Sequence, residues 1–114
     1  QIDPQLHELV QSKLFVFEDI RLLDDRSIQR VLQEVDQKDL LMALRGASDD
    51  IRQIIFRNLS KRAAQLLMED LAVMGPVRLR TVEEAQQRIV NVVRRLEEAE
   101  EIVVARGGQE DMLV

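Results

Sequence analysis

Few side chains in this sequence are suited to catalysis or to metal binding. The chain of 114 residues has no cysteine and a single histidine, His7, so thiolate and histidine-rich metal sites and a Cys–His nucleophile pair are excluded. Neighbouring carboxylates at Asp24-Asp25, Asp49-Asp50 and Glu69-Asp70 are able in principle to bind a divalent cation. Each pair, however, lies at the start or on the polar face of a predicted helix, which explains it without a metal. No glycine-rich phosphate loop is present, so we predict no enzyme, no cofactor and no metal site.

The composition is typical of a folded, soluble helical domain. Hydrophobic residues make up 46% of the chain and charged residues 32%, and no apolar run approaches the roughly 20 residues that span a bilayer. Only three residues are aromatic, so Leu, Ile, Val, Ala and Met must build the core, which favours helix packing. The net charge of -5 opposes non-specific attraction to nucleic acid or anionic lipid. Because Gln1 opens the chain inside helical sequence, we expect a piece of a longer protein.

Helix start signals recur along the chain, and each precedes apolar residues at helical spacing. Side chains able to cap a helix N-terminus stand before these stretches at Asp3, Asp24, Asp36, Ser48 and Ser60. Short amphipathic helices are unstable alone in water, so their apolar faces must be buried against one another. The sequence therefore predicts an all-α fold, a small helical bundle of the armadillo-like, right-handed superhelical type.

The boundaries of the last two helices are predicted from glycine, proline and a capping box. We expect the helix after Ser60 to run to about Met74, where Gly75 in a left-handed conformation ends it and the following proline prevents continuation. Thr81 with Glu84 predicts the start of the last and longest helix.

Two short segments do not have a helical pattern. The segments 77–79 and 102–104 are β-branched or alternating, and they predict a small ribbon that brackets the last helix. The residues 107–114 are expected to form a frayed tail.

The helix from 60 to 74 places charges among apolar residues on its outward face. Winding it at about 100° per residue puts five residues on the core-facing arc, namely Ala63, Ala64, Leu67, Leu71 and Met74. A solvated face with an occasional exposed apolar residue is one interpretation, and a charged contact ridge is the other. The residues that we expect to face outward are Arg62, Gln65, Leu66, Glu69, Asp70 and Val73.

The run Leu14-Phe15-Val16-Phe17 holds two of the three aromatic residues. One interpretation is a buried connector that anchors the first helix to the core. The other is a hinge, in which bulky side chains stay seated while the backbone on either side rotates. The two interpretations are compatible, and we predict a helical segment at 1–13, a hinge at 14–17 and a bundle at 18–106.

Seven strings of the sequence carry a resemblance to a known family through their order and spacing. They are LFVFEDI (14–20), LDDRSIQRVLQEVD (23–36), ALRGAS (43–48), NLSKRAA (58–64), MGPVRL (74–79), EEAQQ (83–87) and VVRRLEEAEEIVVARGG (92–108). From about residue 3 to the end, the chain resembles the C-terminal domain of the flagellar motor switch protein FliG. The resemblance implies an all-α, non-enzymatic domain at the outer edge of the cytoplasmic rotor ring.

The same resemblance implies which residues transmit torque and which partners they meet. The charges of the family that receive torque fall here on Arg45, Arg62, Glu69, Asp70 and Arg78. The implied partners are the cytoplasmic loop of the stator protein MotA, other switch-complex proteins such as FliM, and neighbouring copies of the chain in the ring. The implied location is the cytoplasmic face of the inner membrane, without insertion into it, and no nucleic acid is implied as a partner. The hinge at 14–17 is implied to reorient the bundle when rotation changes direction during chemotaxis.

The sequence departs from the family pattern at four positions. The family often has Lys at Arg45 and Asp at Glu69, so the sign of the charge is kept while the side-chain length differs. It usually has Met at Leu14, which has a similar volume and is more flexible. It often has Gly at Glu100, and from this difference we expect the last helix to continue further before Ile102.

Two other classes of function are compatible with parts of the sequence. A helical-repeat adaptor would dock partner helices on its exposed apolar residues without a torque role, and the short stretch 3–13 would then pack on a neighbouring repeat or on another copy. A nucleic-acid module is disfavoured by the acidic net charge and by the lack of a basic recognition helix.

Overall fold

The protein is represented by a computed structural model that describes residues 15–104, and all regular structure in this range is helical. A 3-10 helix at Phe17–Leu22 is followed by five α-helices: α1 (Asp25–Glu34), α2 (Gln37–Arg45), α3 (Asp49–Arg57), α4 (Lys61–Val73) and α5 (Leu79–Glu98). The predicted all-α bundle is confirmed. The first helix predicted at 1–13, with His7, lies outside the described residues, as do Leu14 and the tail at 107–114.

Four of the α-helices begin after the capping side chain that the sequence predicts. Oxygens of Asp24, Ser48 and Ser60 accept hydrogen bonds from the backbone N–H three residues further on, at 2.8, 3.3 and 3.1 Å. Asp36 accepts from the N–H two residues further on, at 3.4 Å. These bonds satisfy N–H groups that have no partner inside the helix.

Helix α5 is the centre of the bundle. With 20 residues it is about 30 Å long, and it packs most extensively along α2, with further contacts to α1 and to the 3-10 helix. Helix α4 packs mainly against α2 and therefore lies at the outside of the bundle. The apolar row of α5 is fully buried and consists of Val82, Ala85, Ile89, Val90, Val93 and Leu96.

Surface ion pairs join helices that are distant in sequence. Asp25 at the start of α1 accepts a hydrogen bond from Arg57 at the end of α3 at 2.8 Å. This bond holds the pKa of Asp25 below its ordinary value. Asp39 of α2 accepts from Arg88 of α5 through both of its oxygens, each at 3.0 Å. The charges of these four residues are therefore used to hold the bundle together.

The predicted start of α5 is wrong by three residues, since the capping box predicts an N-cap at Thr81. The helix begins at Leu79, and its N-cap is Arg78, which makes no side-chain capping bond, so the predicted capping box at 81 and 84 lies inside the helix. The reason is tertiary packing: Val82 is buried against Gly46 at the end of α2, and this contact requires the helix to be formed before residue 82.

The predicted glycine cap of α4 is also wrong. The helix ends at Val73, and Met74 is a C-cap in an extended conformation (φ -69°, ψ 127°). Gly75 does not adopt a positive φ. Because Gly75 precedes a proline, steric clash with the proline ring favours an extended backbone at this position over a helical one.

Helix α5 ends earlier than its sequence predicts. The expectation that it would continue further before Ile102 is wrong, since the helix stops at Glu98 and Glu100 adopts the left-handed conformation with φ 61°. The N–H groups of Glu100 and Glu101 donate to the carbonyls of Glu97 and Leu96, both at 2.9 Å. This bond pattern is a Schellman motif, a helix ending that usually has glycine at the left-handed position. The chain adopts the motif here in spite of the side chain.

The predicted ribbon between 77–79 and 102–104 is wrong, because residue 79 begins α5 and neither segment is a strand. The alternation at 102–104 instead reflects packing against helices: the first and third residues are buried in the core, and Val103 is 77% exposed. The preceding residue, Glu101, pairs with Arg30 of α1 at 2.7 Å. This pair fixes the segment to the bundle.

Candidate functional site

Helix α4 carries the largest group of residues that the sequence predicts to be functional. Its residues Arg62, Glu69 and Asp70 are exposed, as are Leu66 at 52% and Val73 at 82%. On the opposite side Ala64 and Leu67 are buried, and Ala63, Leu71 and Met74 are partly buried. The predicted core and outward faces of this helix are confirmed. We refer to the exposed set of Arg62, Gln65, Leu66, Glu69, Asp70 and Val73 as the α4 outer face.

The central row of the α4 outer face alternates charged and apolar side chains. Arg62, Leu66, Glu69 and Val73 are spaced by four, three and four residues, which places them within a sector of about 60°. Arg62 and Glu69 are about 10 Å apart along the helix axis, and Leu66 lies between them. Asp70 lies on one flank of this row, about 80° from Arg62 around the axis.

Arg45 lies on the other flank, at the rim of a groove. The groove has a volume of about 410 Å³ and is formed by the end of α2, by α3 and by α4. Arg45 lines this groove together with Met68 and Ala72 of α4. The sequence pattern does not predict this groove, although the helical winding of α4 places Met68 next to its core-facing arc. The lining residues are Arg45, Asp49, Arg52, Gln53, Phe56, Met68, Leu71 and Ala72.

The position of Arg45 depends on how α2 ends. Arg52 of α3 donates to the carbonyls of Leu44 and Arg45 at 2.8 and 3.1 Å, which caps the C-terminus of α2 with a cation. Gly46 follows with φ -104° and ψ 12°, and a Cβ at this residue would lie 2.6 Å from a methyl group of Val82. The absence of a side chain at Gly46 therefore allows α2 to end directly against α5.

Arg78 is placed apart from the other predicted charges. It is exposed at the N-cap of α5, in the connection that follows α4. The structure thus brings Arg62, Glu69 and Asp70 onto one helix and Arg45 beside it. No contact described within residues 15–104 joins the side chain of Arg78 to α4.

The predicted charges are not used to hold the fold together. Within the described residues, the side chains of Arg45, Arg62, Asp70 and Arg78 make no hydrogen bond or ion pair. Glu69 accepts only a long hydrogen bond of 3.4 Å from Gln65, one turn earlier. These groups are consequently available to a partner.

The order of charges along α4 opposes the helix dipole. Helices α1, α2 and α3 each have a carboxylate in the first turn, where the positive end of the dipole stabilises it, whereas α4 and α5 have none. Instead Lys61 and Arg62 stand at the N-terminus of α4, and Glu69 and Asp70 lie towards its C-terminus. This order is unfavourable relative to the helix dipole, so the stability of α4 does not account for it.

The other candidate groups have structural explanations. Asp24 caps α1, and hydrogen bonds from Ser27 hold its pKa below the ordinary value. Asp49 and Asp50 occupy the first turn of α3. In the part of the chain that the structure describes, no group of three or more acidic, His or Cys side chains is placed to hold a metal ion. No helix there combines the length and the apolar character needed to cross a bilayer.

The aromatic run enters the bundle through two buried side chains. Phe15 and Phe17 are part of the hydrophobic core, while Val16 between them is exposed. The N–H of Val16 donates to the carboxylate of Asp19 at 2.9 Å, which fixes the start of the 3-10 helix. These contacts anchor residues 15–17 to the bundle.

The fold and the α4 outer face define a small all-helical domain that presents exposed charges on a peripheral helix, and these charges form no ion pair within residues 15–104. Residues 1–104 match the sequence profile of the FliG C-terminal domain, and the chain belongs to that family.

Individual relatives agree with this assignment. The flagellar motor switch protein FliG of Thermotoga maritima is 60% identical over 114 residues, which are 100% of this chain and 34% of that protein. The FliG of Bacillus subtilis is 53% identical over 112 residues, or 98% of this chain and 33% of that protein. The chain therefore spans about a third of the length of these relatives.

Solved structures of FliG share the fold. The structure of full-length FliG from Aquifex aeolicus superposes on this chain with a TM-score of 0.75 at 46% identity. The superposition covers 84% of this chain and 30% of the Aquifex chain. A crystal structure of part of FliG from H. pylori gives a TM-score of 0.81 at 34% identity, over 88% of this chain and 44% of that one.

Proposed function

We propose that this chain is the torque-receiving domain of a flagellar motor switch protein, and that the α4 outer face engages the stator of the motor. The family supports a role in the motor switch. The observation that carries the assignment to α4 is that, within the described residues, Arg62 and Asp70 make no hydrogen bond or ion pair and Glu69 accepts only a long hydrogen bond of 3.4 Å. Arg45 extends this contact surface on the groove side, and Arg78 extends it past the end of α4.

Weak individual contacts suit this role. An exposed ion pair contributes about 0.2–1 kcal/mol and is screened by salt, so charges on α4 steer a partner into place without holding it tightly. A rotor domain must release each partner as it moves past. The proposed partner is the cytoplasmic loop of the stator protein MotA, with charges complementary to Arg62, Glu69 and Asp70.

The assignment is tested by reversing the charges in the full-length protein. We expect Arg62→Glu and Asp70→Arg each to reduce swimming, and the double variant to reduce it further, because each change replaces an attraction with a repulsion. Arg26→Glu is a matched control, since Arg26 is exposed on α1, away from α4. Normal swimming of the double variant with an unaltered stator would contradict the proposal.

We also propose that residues 14–17 act as the hinge between the segment 1–13 and the bundle 18–106, with 107–114 as a tail. In this proposal Phe15 and Phe17 remain seated in the core while the chain before them reorients during a change of direction. The burial of both side chains and the exposure of Val16 support this division of roles.

The hinge is tested at the exposed residue. Phe15→Ala or Phe17→Ala would destabilise the core by about 3–5 kcal/mol, which would obscure any effect on switching. Val16→Gly leaves the core intact and loosens the backbone, so we expect it to change the ratio of clockwise to counter-clockwise rotation. An unchanged ratio in correctly folded protein would remove the hinge.

The remaining partners follow from the same proposed role. We propose contacts with the switch-complex protein FliM and with neighbouring copies in a ring at the cytoplasmic face of the inner membrane. The alternative, an adaptor that docks partner helices without torque, is favoured by the exposure of Leu66 and Val73. The charge reversals separate the two functions, because an adaptor that relies on apolar contacts would tolerate them.

A further inference from the structure

We infer that Leu66 and Val73 are contact residues of the α4 outer face, and that the partner is a helix with an apolar side chain between an acidic and a basic group. This inference rests on the proposed function, which assigns contact to the charges alone. It adds two residues to the contact surface and specifies the chemistry of the element that meets them.

The geometry of α4 makes the apolar contact unavoidable. Leu66 lies in the same narrow row as Arg62 and Glu69 and stands between them along the axis. A partner helix that lies along this row and reaches both charges at once passes over Leu66, which is 52% exposed. Val73 continues the row one turn beyond Glu69 and is 82% exposed, so a partner helix of three turns covers it as well.

The spacing of the row is that of a helix–helix seam. Residues spaced by four, three and four positions form the stripe by which one helix packs along another. In α4 this stripe reads basic, apolar, acidic, apolar. A complementary helix would place an acidic group at Arg62, a basic group at Glu69 and an apolar side chain at Leu66.

The apolar residues and the charges contribute differently to such a contact. Contacts between exposed charges are weakened by water and by salt, whereas the burial of apolar surface is not screened by salt. We therefore expect Leu66 and Val73 to determine how long a stator stays engaged, and the charges to determine how it approaches and is aligned.

The experiment uses full-length protein in motile cells, with single-motor torque and the number of engaged stators as readouts. We expect Leu66→Gln and Val73→Gln each to reduce the number of engaged stators at least twofold. Val103→Gln is the matched control, because Val103 is 77% exposed and lies in the segment that packs beside α1. It is expected to leave both readouts unchanged.

Folding and function are separated within the same experiment. Thermal denaturation of each purified full-length variant checks its folding. If a Gln variant of α4 melts early, alanine at the same residue, Leu66→Ala or Val73→Ala, replaces it, because alanine favours helix. If both α4 variants behave like Val103→Gln, or if all three lose engagement equally, the inference is overturned. The double variant Arg62→Glu, Asp70→Arg is measured in parallel. If this variant loses torque while the Leu66 and Val73 variants keep normal torque and stator engagement, the inference is rejected and the proposed function is kept.

Discussion

Gly46 is the residue at which a single added methyl group is expected to damage both the fold and the site. A Cβ at this position would lie 2.6 Å from Cγ1 of the buried Val82. Carbon atoms in van der Waals contact are about 3.5–4.0 Å apart, so Gly46→Ala requires α2 and α5 to separate by about 1 Å. The backbone angles of Gly46 are accessible to alanine, so the cost of the substitution is steric.

The magnitude follows from overpacking of a core that is already filled. Extra methyl groups in such places typically cost about 1–3 kcal/mol. For a domain of this size, each kcal/mol lowers the melting temperature by about 4–8 °C. The separation would also lengthen the hydrogen bond from Gln86 to the carbonyl of Ala43, now 3.1 Å, and would displace the neighbouring Arg45.

The assay is thermal and urea denaturation of two alanine variants. Gly75→Ala is the control, because its Cβ would meet no atom within 4 Å, and we expect it to be neutral or to stabilise by up to about 1 kcal/mol. Val82→Ala removes the obstructing methyl group, so Gly46→Ala should cost at least about 0.5 kcal/mol less in that background. An unchanged melting temperature for Gly46→Ala, or an equal cost in both backgrounds, would refute the steric explanation.

Three further substitutions test other parts of the account. Glu100→Gly should stabilise the protein by about 1 kcal/mol in urea denaturation, because the left-handed conformation at this residue favours glycine; a lower urea midpoint would contradict the assigned helix ending. Arg57 lowers the pKa of Asp25, so their pair stabilises the folded state above about pH 4, and this contribution is lost as the pH falls through the folded pKa. Asp25→Asn should therefore be less stable than the wild type at about pH 7. A difference in stability between the two proteins that does not narrow towards about pH 3 would contradict this. Arg52→Met should cost about 1–2 kcal/mol in thermal denaturation, since it leaves the carbonyl of Leu44 without its cationic donor, and an unchanged melting temperature would contradict the cap.

Local sequence signals predicted the helix starts at which a side chain bonds to the backbone within one turn. The capping bonds at Asp24, Asp36, Ser48 and Ser60 span two or three residues, so the pattern that predicts them is contained in the sequence itself. The same holds for the two faces of α4, since helical winding alone decides which side chains point outward.

Two of the predictions that failed depend on contacts between distant parts of the chain. Helix α5 starts before its predicted capping box because Val82 packs on Gly46, which lies 36 residues earlier. The segment 102–104 alternates like a strand but packs on helices, and the pair between Arg30 and Glu101 helps to hold it there. Neither contact is visible in a window of neighbouring residues.

The candidate site was predictable in part. The sequence and the family resemblance together identify the charges, and helical winding places Arg62, Glu69 and Asp70 on one surface. The groove at Arg45 was not predictable, because three separate helices form it. That the α4 charges form no ion pair with any residue in the range 15–104 also required the structure, since pairing depends on which helices are neighbours.

The central claim, that the charges of α4 serve a partner and not the fold, is tested most directly by measuring stability and single-motor torque on one variant. Arg62→Glu combined with Asp70→Arg keeps the net charge and places both charges in favourable positions relative to the helix dipole, each worth about 0.3–1 kcal/mol. We predict that this variant is as stable as the wild type or more so, and that its motor loses most of its torque. A destabilised protein, or a motor with full torque, would contradict the account.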